Sequence, residues 1–178
     1  NPPDAGGPRD DGSDGVKPLG IALMLCASPL AAQDLQYTDR GTEICLADAD
    51  GFAAEMACVG VSANQCMGDS PGGSSTYGMG GCLDRELQFW DQRLNDNYAA
   101  VMVQAKRMDA DAIPGPEGSP GVADALREMQ RAWIVFRDKA CTYEASLWQG
   151  GTGRGPAAIN CLMQQTARQA LSLDVWEG

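Results

Sequence analysis

Two stretches decide the fold of this chain: CLDRELQFWDQRLNDNYAAV at residues 82–101 and VADALREMQRAWIVFRDKACTYEASL at residues 122–147. In both, apolar residues recur at alternating steps of three and four, the period of one helix face. The first stripe consists of Leu83, Leu87, Trp90, Leu94, Tyr98, Val101, Ala105 and Met108. The second consists of Val122, Leu126, Met129, Trp133, Phe136, Ala140, Tyr143 and Leu147. The stripes predict two long helices that pack on each other.

The connection between the stripes, residues 109–121, contains three prolines and three glycines, so the two helices should form an antiparallel hairpin. Folding about its middle sets Leu87 near Ala140, Leu94 near Trp133, Tyr98 near Met129 and Val101 near Leu126. A third helix follows Pro156, with its buried side predicted at Ile159, Leu162, Thr166, Ala170 and Leu173. Upstream, residues 53–59 are predicted as a short helix and residues 67–81 as a Gly-rich loop. The predicted fold class is all-α, a small disulfide-stapled helical bundle built on this hairpin plus a C-terminal helix.

The N-terminal region divides into two segments before the domain begins. Residues 1–18 are rich in Pro, Gly and Asp, which predicts a disordered extension. Residues 19–32 form a short apolar run that follows Lys17 and ends in small residues, as a secretory signal peptide does. The run is shorter than the roughly 20 residues that a membrane helix needs, which argues against a permanent span. We therefore expect an exported protein, periplasmic or secreted, with a single domain at residues 33–178.

The chain is acidic, with 24 Asp and Glu against 13 Lys and Arg and a net charge of −11. Such a surface repels the phosphates of nucleic acid, so nucleic acid is excluded as a partner. It favours cationic protein partners, which for an exported protein include basic enzymes that degrade the cell wall. The oligomeric state is left open by the sequence.

Six cysteines remain once Cys26 is assigned to the signal peptide: Cys45, Cys58, Cys66, Cys82, Cys141 and Cys161. An even number in an exported domain predicts three disulfides. The hairpin geometry favours a bridge from Cys141 to either Cys82 or Cys161. Because the chain has no His and no closely spaced Cys pair, zinc and haem sites are disfavoured, and no cofactor is predicted.

The absence of His also removes the Ser–His and Cys–His nucleophile pairs. A pair of carboxylates, Asp91 and Asp138, could still face each other across the hairpin, as in a glycosidase. We favour a structural ion pair between Asp91 and Arg137, and a polar network of Asn95 and Tyr98 that sets helix register.

Several of these residues fall into an ordered pattern. Cys82-Leu-Asp-Arg-Glu86, Trp90-Asp91, Leu94-Asn95 and Tyr98 are followed by Trp133, Phe136-Arg137-Asp138 and Cys141, and then by Cys161-Leu162, Thr166 and Arg168. This pattern resembles the lysozyme inhibitor LprI family of exported bacterial proteins. The resemblance implies one LprI-like helical domain whose motif residues hold the scaffold: Trp90, Asp91, Leu94, Asn95, Tyr98, Trp133, Arg137, Asp138 and Arg168.

The resemblance also implies a function, the blocking of a cationic wall-degrading lysozyme by a protein that is not itself an enzyme. An inhibitor must fill a cleft that holds two carboxyl groups, so a projecting basic side chain is a suitable plug. Arg154, set among glycines in residues 150–155, is the candidate partner contact; the alternative, which we favour from the sequence, is that this segment is a flexible helix connection. The alternatives are an envelope protein-binding module without effect on lysozyme, and a carboxylate-dependent peptidoglycan enzyme.

Overall fold

The structure is a computed structural model that describes residues 34–113, 116 and 119–177. Its helices are α1 (Arg40–Asp48), α2 (Phe52–Ala57), α3 (Val61–Asp69), α4 (Thr76–Asp111), α5 (Val122–Ser146) and α6 (Arg154–Glu177). The described residues contain no β-strand, which confirms the all-α prediction. The predicted disordered extension and signal peptide, residues 1–18 and 19–32, lie outside the described residues.

The centre of the bundle is the pairing of α4 with α6, which is the most extensive helix contact in the described structure. From α4, Trp90 and Leu94 are buried at 0% and 3% exposure. The facing residues of α6 are small or aliphatic, which lets the helix axes approach closely. They are Met163, Ala167, Ala170, Leu171 and Leu173. The predicted buried side of this helix is confirmed at Thr166, Ala170 and Leu173, while Ile159 and Leu162 are half-buried.

α5 packs on both other long helices, but only part of its predicted stripe is buried. Near its start, Leu126 is buried and lines a groove together with Val101 of α4, as predicted. Farther along, Phe136, Tyr143 and Leu147 are 60%, 68% and 61% exposed. The prediction that this half of the stripe packs against α4 is wrong, because α6 packs along most of the apolar face of α4.

The turn between α4 and α5 is closed by a side chain from the end of α4. The Asp109 carboxylate accepts hydrogen bonds from the backbone N–H groups of Val122 at 2.6 Å and Ala123 at 2.9 Å. These N–H groups would otherwise lack partners at the start of a helix. Asp109 therefore caps α5 and orients the hairpin.

The N-terminal third is held by two disulfides, Cys45–Cys58 and Cys66–Cys82. The predicted Gly-rich loop is shorter than expected, because α4 already begins at Thr76. Ser75 caps this start by accepting a hydrogen bond from the N–H of Gly78 at 3.0 Å. Gly78 lies so close to the backbone of residues 72–73 that a Cβ there would overlap it. Gly78 therefore allows close packing within a helix and does not mark a loop.

A buried carboxylate links α1, α3 and α4. Glu86 of α4 has 0% exposure and accepts hydrogen bonds from the N–H groups of Gly60 and Ala63, both at 2.7 Å. It also accepts from the Thr42 hydroxyl at 3.0 Å and from the Trp90 indole N–H at 3.2 Å. Its negative charge thus lies at the positive end of α3 and satisfies N–H groups left open there.

Candidate functional site

The candidate partner contact lies at one end of the bundle, where α5 ends and α6 begins. The connection between them is a series of turns held by backbone hydrogen bonds, including Gly151 N–H to Trp148 O at 2.8 Å and Arg154 N–H to Gly151 O at 3.2 Å. Next to it, the Cys141–Cys161 disulfide joins the two helices with a Cα–Cα distance of 5.4 Å. This bridge confirms one of the two pairings predicted for Cys141, and the connection is a structured loop.

Trp148 gives this loop its shape. Its ring lies against Gly153 so closely that a Cβ at position 153 would overlap ring atoms. Gln149, which follows, adopts a positive φ of 48°, a conformation that non-glycine residues rarely take. Trp148 is nevertheless 52% exposed, so about half of its surface remains accessible to solvent.

Arg154 is the first residue of α6 and is exposed. On one side it lines a shallow cavity with Asp138 and Thr142 of α5. On the other side, Gly155 and Pro156 line a second cavity with Tyr77 of α4, a side chain that is 72% exposed. Trp148 and Tyr77 thus lie near the immediate sequence neighbours of Arg154, Gly153 and Gly155, and we call Arg154, Trp148 and Tyr77 together the Arg154 end. Trp, Tyr and Arg are the residue types enriched at the energetic centres of protein interfaces.

Sequence reasoning selected Arg154 but did not include Trp148 or Tyr77 in this site. No periodic pattern marks these two residues. Tyr77 comes near Gly155 because the starts of α4 and α6 meet, and Trp148 comes near Gly153 through the fold of the loop. A usable signal was present in the composition: each is an aromatic residue within a Gly-rich stretch, where a core position is not expected.

The two carboxylates considered for catalysis are each engaged on their own helix. Asp91 accepts a hydrogen bond from Asn95 at 3.3 Å, and Asp138 accepts from Arg137 Nε at 3.0 Å and Nη2 at 2.9 Å. The predicted ion pair between Asp91 and Arg137 is therefore replaced by one between neighbours on α5. Arg137 also lies over the Trp133 ring, 5.0 Å from its centroid.

The buried polar residue on α4 is Asn97 rather than Asn95. Asn95 is exposed, whereas Asn97 is 8% exposed and its side-chain amide donates to the Ala170 carbonyl of α6 at 2.9 Å. The predicted network of Asn95 with Tyr98 was therefore placed on the wrong residue. The reason is that α6, and not α5, covers this part of α4.

The remaining motif residues are distributed between the core and the surface. Trp90 and Leu94 are buried in the core, and Tyr98 and Trp133 are half-buried against it. Arg168 is exposed on α6, with its guanidinium 5.9 Å from the centroid of the Phe52 ring. It thus joins α6 to α2 through a cation–π contact.

Charge is distributed unevenly over the described residues. Residues 34–75 contain seven acidic side chains and one basic side chain, Arg40. All seven carboxylates are exposed or half-buried. Within this acidic region, burial and the hydrogen bond that Tyr37 donates to Asp39 at 2.7 Å raise the pKa of the Tyr37 phenol. The acidic region adjoins the Arg154 end, because Leu35 lines the same cavity as Gly155 and Pro156.

An apolar groove of about 360 Å³ lies between α4 and α5 near their connection, lined by Met108, Val122, Met129 and neighbouring side chains. In the described part of the chain, no cluster of three or more His, Cys, Asp and Glu is placed to hold a metal ion. None of the described helices has the length and apolarity required to cross a membrane.

Comparison with known proteins identifies relatives. The chain is 33% identical to an uncharacterised 17.7 kDa protein in the puhA 5′ region of Rhodobacter capsulatus, over 158 residues that cover 88% of this chain and 93% of that protein. It is 27% identical over 92 residues to an uncharacterised protein of Rhizobium meliloti, covering 52% of this chain and 66% of that protein.

No solved structure matches the chain. The family model described as lysozyme inhibitor LprI matches residues 66–173, which include α4, α5 and most of α6. The three disulfides of the described residues are those expected of an exported domain. The chain belongs to the LprI lysozyme-inhibitor family.

Proposed function

We propose that this protein is exported to the periplasm or beyond, where it binds a cationic wall-degrading lysozyme and blocks its cleft without catalysing a reaction. The observation that carries the proposal is the Arg154 end. There the exposed Arg154 begins α6, directly after a loop that carries the exposed Trp148 and lies next to the Cys141–Cys161 disulfide, and the following residues line a cavity with the exposed Tyr77. Membership of the LprI family supports the choice of lysozyme as partner.

The position of Arg154 is poor for stability, which favours a role in binding. It occupies the first turn of α6, where the helix dipole is positive and a basic side chain costs about 0.3–1 kcal/mol. Asp138, which lines the same cavity, is hydrogen-bonded to Arg137. A guanidinium in this setting is available to donate two parallel hydrogen bonds to a carboxylate, and a lysozyme cleft contains a pair of carboxyl groups.

The rigid loop lowers the cost of binding. Trp148 packs on Gly153, and the loop backbone is hydrogen-bonded, so little conformational freedom is lost when a partner is engaged. The adjoining acidic region, residues 34–75, supplies a negative field that attracts a cationic enzyme and raises the association rate at low salt. The acidic region would thus steer the partner, and the Arg154 end would hold it.

A catalytic role for Asp91 and Asp138 gains no support from their surroundings. Both are exposed, and each is hydrogen-bonded to a neighbour on its own helix. A general acid in a glycosidase needs a raised pKa, which burial in a cleft commonly provides. We therefore propose a binding function without catalysis.

The test is titration of the oxidised protein into a chicken-type lysozyme assay on bacterial cells, at low and at physiological salt. Wild type should inhibit stoichiometrically at both, with a faster onset at low salt. Arg154→Ala should weaken inhibition at least about tenfold, because it removes a charged contact at the centre of the interface. Arg131→Ala, which removes an exposed arginine of α5, is the matched control and should inhibit as wild type does.

Two outcomes would count against the proposal in different ways. If Arg154→Ala inhibits as strongly as wild type, lysozyme is bound through another surface. If wild type does not inhibit at any salt concentration, the protein is instead an envelope-binding module with another partner.

A further inference from the structure

The outer face of α5 carries an apolar stripe that no described part of the chain covers. Phe136, Ala140, Tyr143 and Leu147 follow one another at steps of four, three and four, and so lie on one side of the helix. Phe136, Tyr143 and Leu147 are 60%, 68% and 61% exposed. The spacing is that of a coiled-coil seam, which normally packs against a second helix with the same pattern.

We propose that this α5 stripe pairs with the α5 stripe of a second copy of the chain, in antiparallel orientation. Antiparallel pairing places Phe136 of one copy against Leu147 of the other, and Ala140 against Tyr143. The stripe is then self-complementary, as a two-fold interface requires.

The distribution of charge favours a second copy of the chain as the partner that covers the α5 stripe. The chain carries a net charge of −11, so two copies repel each other over most of their surfaces. α5 is different, since it contains four acidic and four basic side chains and is neutral. The acidic region, by contrast, has seven acidic residues and one basic residue. The α5 face is therefore where two acidic molecules meet with little repulsion, whereas a strongly cationic partner gains more from the acidic region.

The size of the stripe sets the strength of the pairing. Three side chains with about 60% of their surface exposed contribute roughly 350 Å² per copy. A standard interface buries roughly 800 Å² per partner. We therefore expect a weak dimer that forms reversibly and depends on protein concentration.

The geometry has a consequence for the Arg154 end. Because Leu147 lies at the start of the connection that leads to Arg154, antiparallel pairing places the two Arg154 ends at opposite ends of the paired stripes. The proposed dimer does not depend on whether the binding partner is a lysozyme.

The experiment is sedimentation equilibrium of the full oxidised protein from low micromolar to near-millimolar concentration. Wild type should shift from monomer to dimer across this range. Tyr143→Lys should raise the dissociation constant at least about tenfold, because it buries a charge at the seam. Ile44→Lys is the matched control: it places the same charge at an exposed apolar residue of α1, 53% exposed, and should dimerise as wild type does. Circular dichroism should show that both variants stay folded.

A wild-type protein that remains monomeric throughout the concentration range would overturn the proposal. So would a dimer that Tyr143→Lys and Ile44→Lys leave equally intact. A monomeric wild type that loses lysozyme inhibition on Tyr143→Lys would assign the stripe to the partner's interface instead.

Discussion

α4 and α5 carry apolar residues at the same spacing, yet they end in different environments. Trp90 of α4 is fully buried, while the half of the α5 stripe beyond Trp133 faces solvent, with Tyr143 at 68% exposure. The difference arises from α6, whose small residues pack along α4. The comparison teaches that apolar periodicity predicts a helix with an apolar face. Whether that face is buried depends on which of the other helices packs against it.

The two helices also differ in how they treat charge. Glu86 of α4 is completely buried and accepts four hydrogen bonds, one from Trp90 of α4 and three from α1 and the start of α3. Glu144 of α5 is exposed. α4 is thus the organising element of the fold, and α5 is an outer helix with one side available for other contacts.

The largest effect should come from removing the buried carboxylate. Glu86→Ala leaves four donors without an acceptor, each at a cost of about 1 kcal/mol or more, so we expect a loss of at least about 4 kcal/mol in the free energy of unfolding. Glu144→Ala, the matched change on α5, should alter it by less than about 0.5 kcal/mol. Urea unfolding of the oxidised variants measures both. Equal losses in the two variants would contradict the different roles assigned to α4 and α5.

The second test compares two tryptophans of the motif. Trp90→Ala should cost about 3–5 kcal/mol, because it empties a fully buried site and removes a hydrogen bond to Glu86. Trp133→Ala should cost less than half as much, since Trp133 is half-buried. Thermal unfolding should therefore show a much lower midpoint for Trp90→Ala. If Trp133→Ala proves the more damaging change, α5 contributes more to the core than the structure indicates.

The smallest of the three effects concerns two asparagines of α4. Asn97→Ala removes the donor to the Ala170 carbonyl and should destabilise the protein by about 1–2 kcal/mol. Asn95→Ala, at an exposed position two residues earlier, should change stability by less than about 0.5 kcal/mol. Denaturant midpoints of the two variants provide the comparison. A larger loss at Asn95 would restore α5 as the helix that covers this face of α4.

Much of the helix inventory was predictable from local pattern. The breaker-rich connection placed the end of α4 and the start of α5, and Pro156 falls in the first turn of α6. α1 was not predicted, since Arg40–Asp48 has only nine residues, too few for an apolar pattern to recur. The start of α4 was placed too late, because its glycines suggested a loop, although Gly78 lies within the helix and leaves room for the backbone of residues 72–73.

The candidate site was predictable in part. Arg154 was selected from its Gly-rich surroundings, and one of two pairings proposed for Cys141 is the one formed. Tyr77 could not be joined to Arg154 by pattern, because it is distant in sequence and comes near only where α4 and α6 begin. Trp148 is close in sequence, but its packing on Gly153 depends on how the loop folds. The Glu86 network was missed for the same reason, as its donors come from α1, α3 and α4.

The sequence by itself determined the helical class, the long helices and the even set of cysteines, because helix periodicity and breakers act over a few residues. It also determined the acidic character, since charge is a sum over residues. Only the tertiary structure decided that α6 packs along most of the apolar face of α4 and that Glu86 is buried. It also decided that the apolar residues of α5 from Phe136 to Leu147 remain largely exposed. These outcomes depend on which surfaces fit most closely, a comparison that is made only when all the helices are packed together.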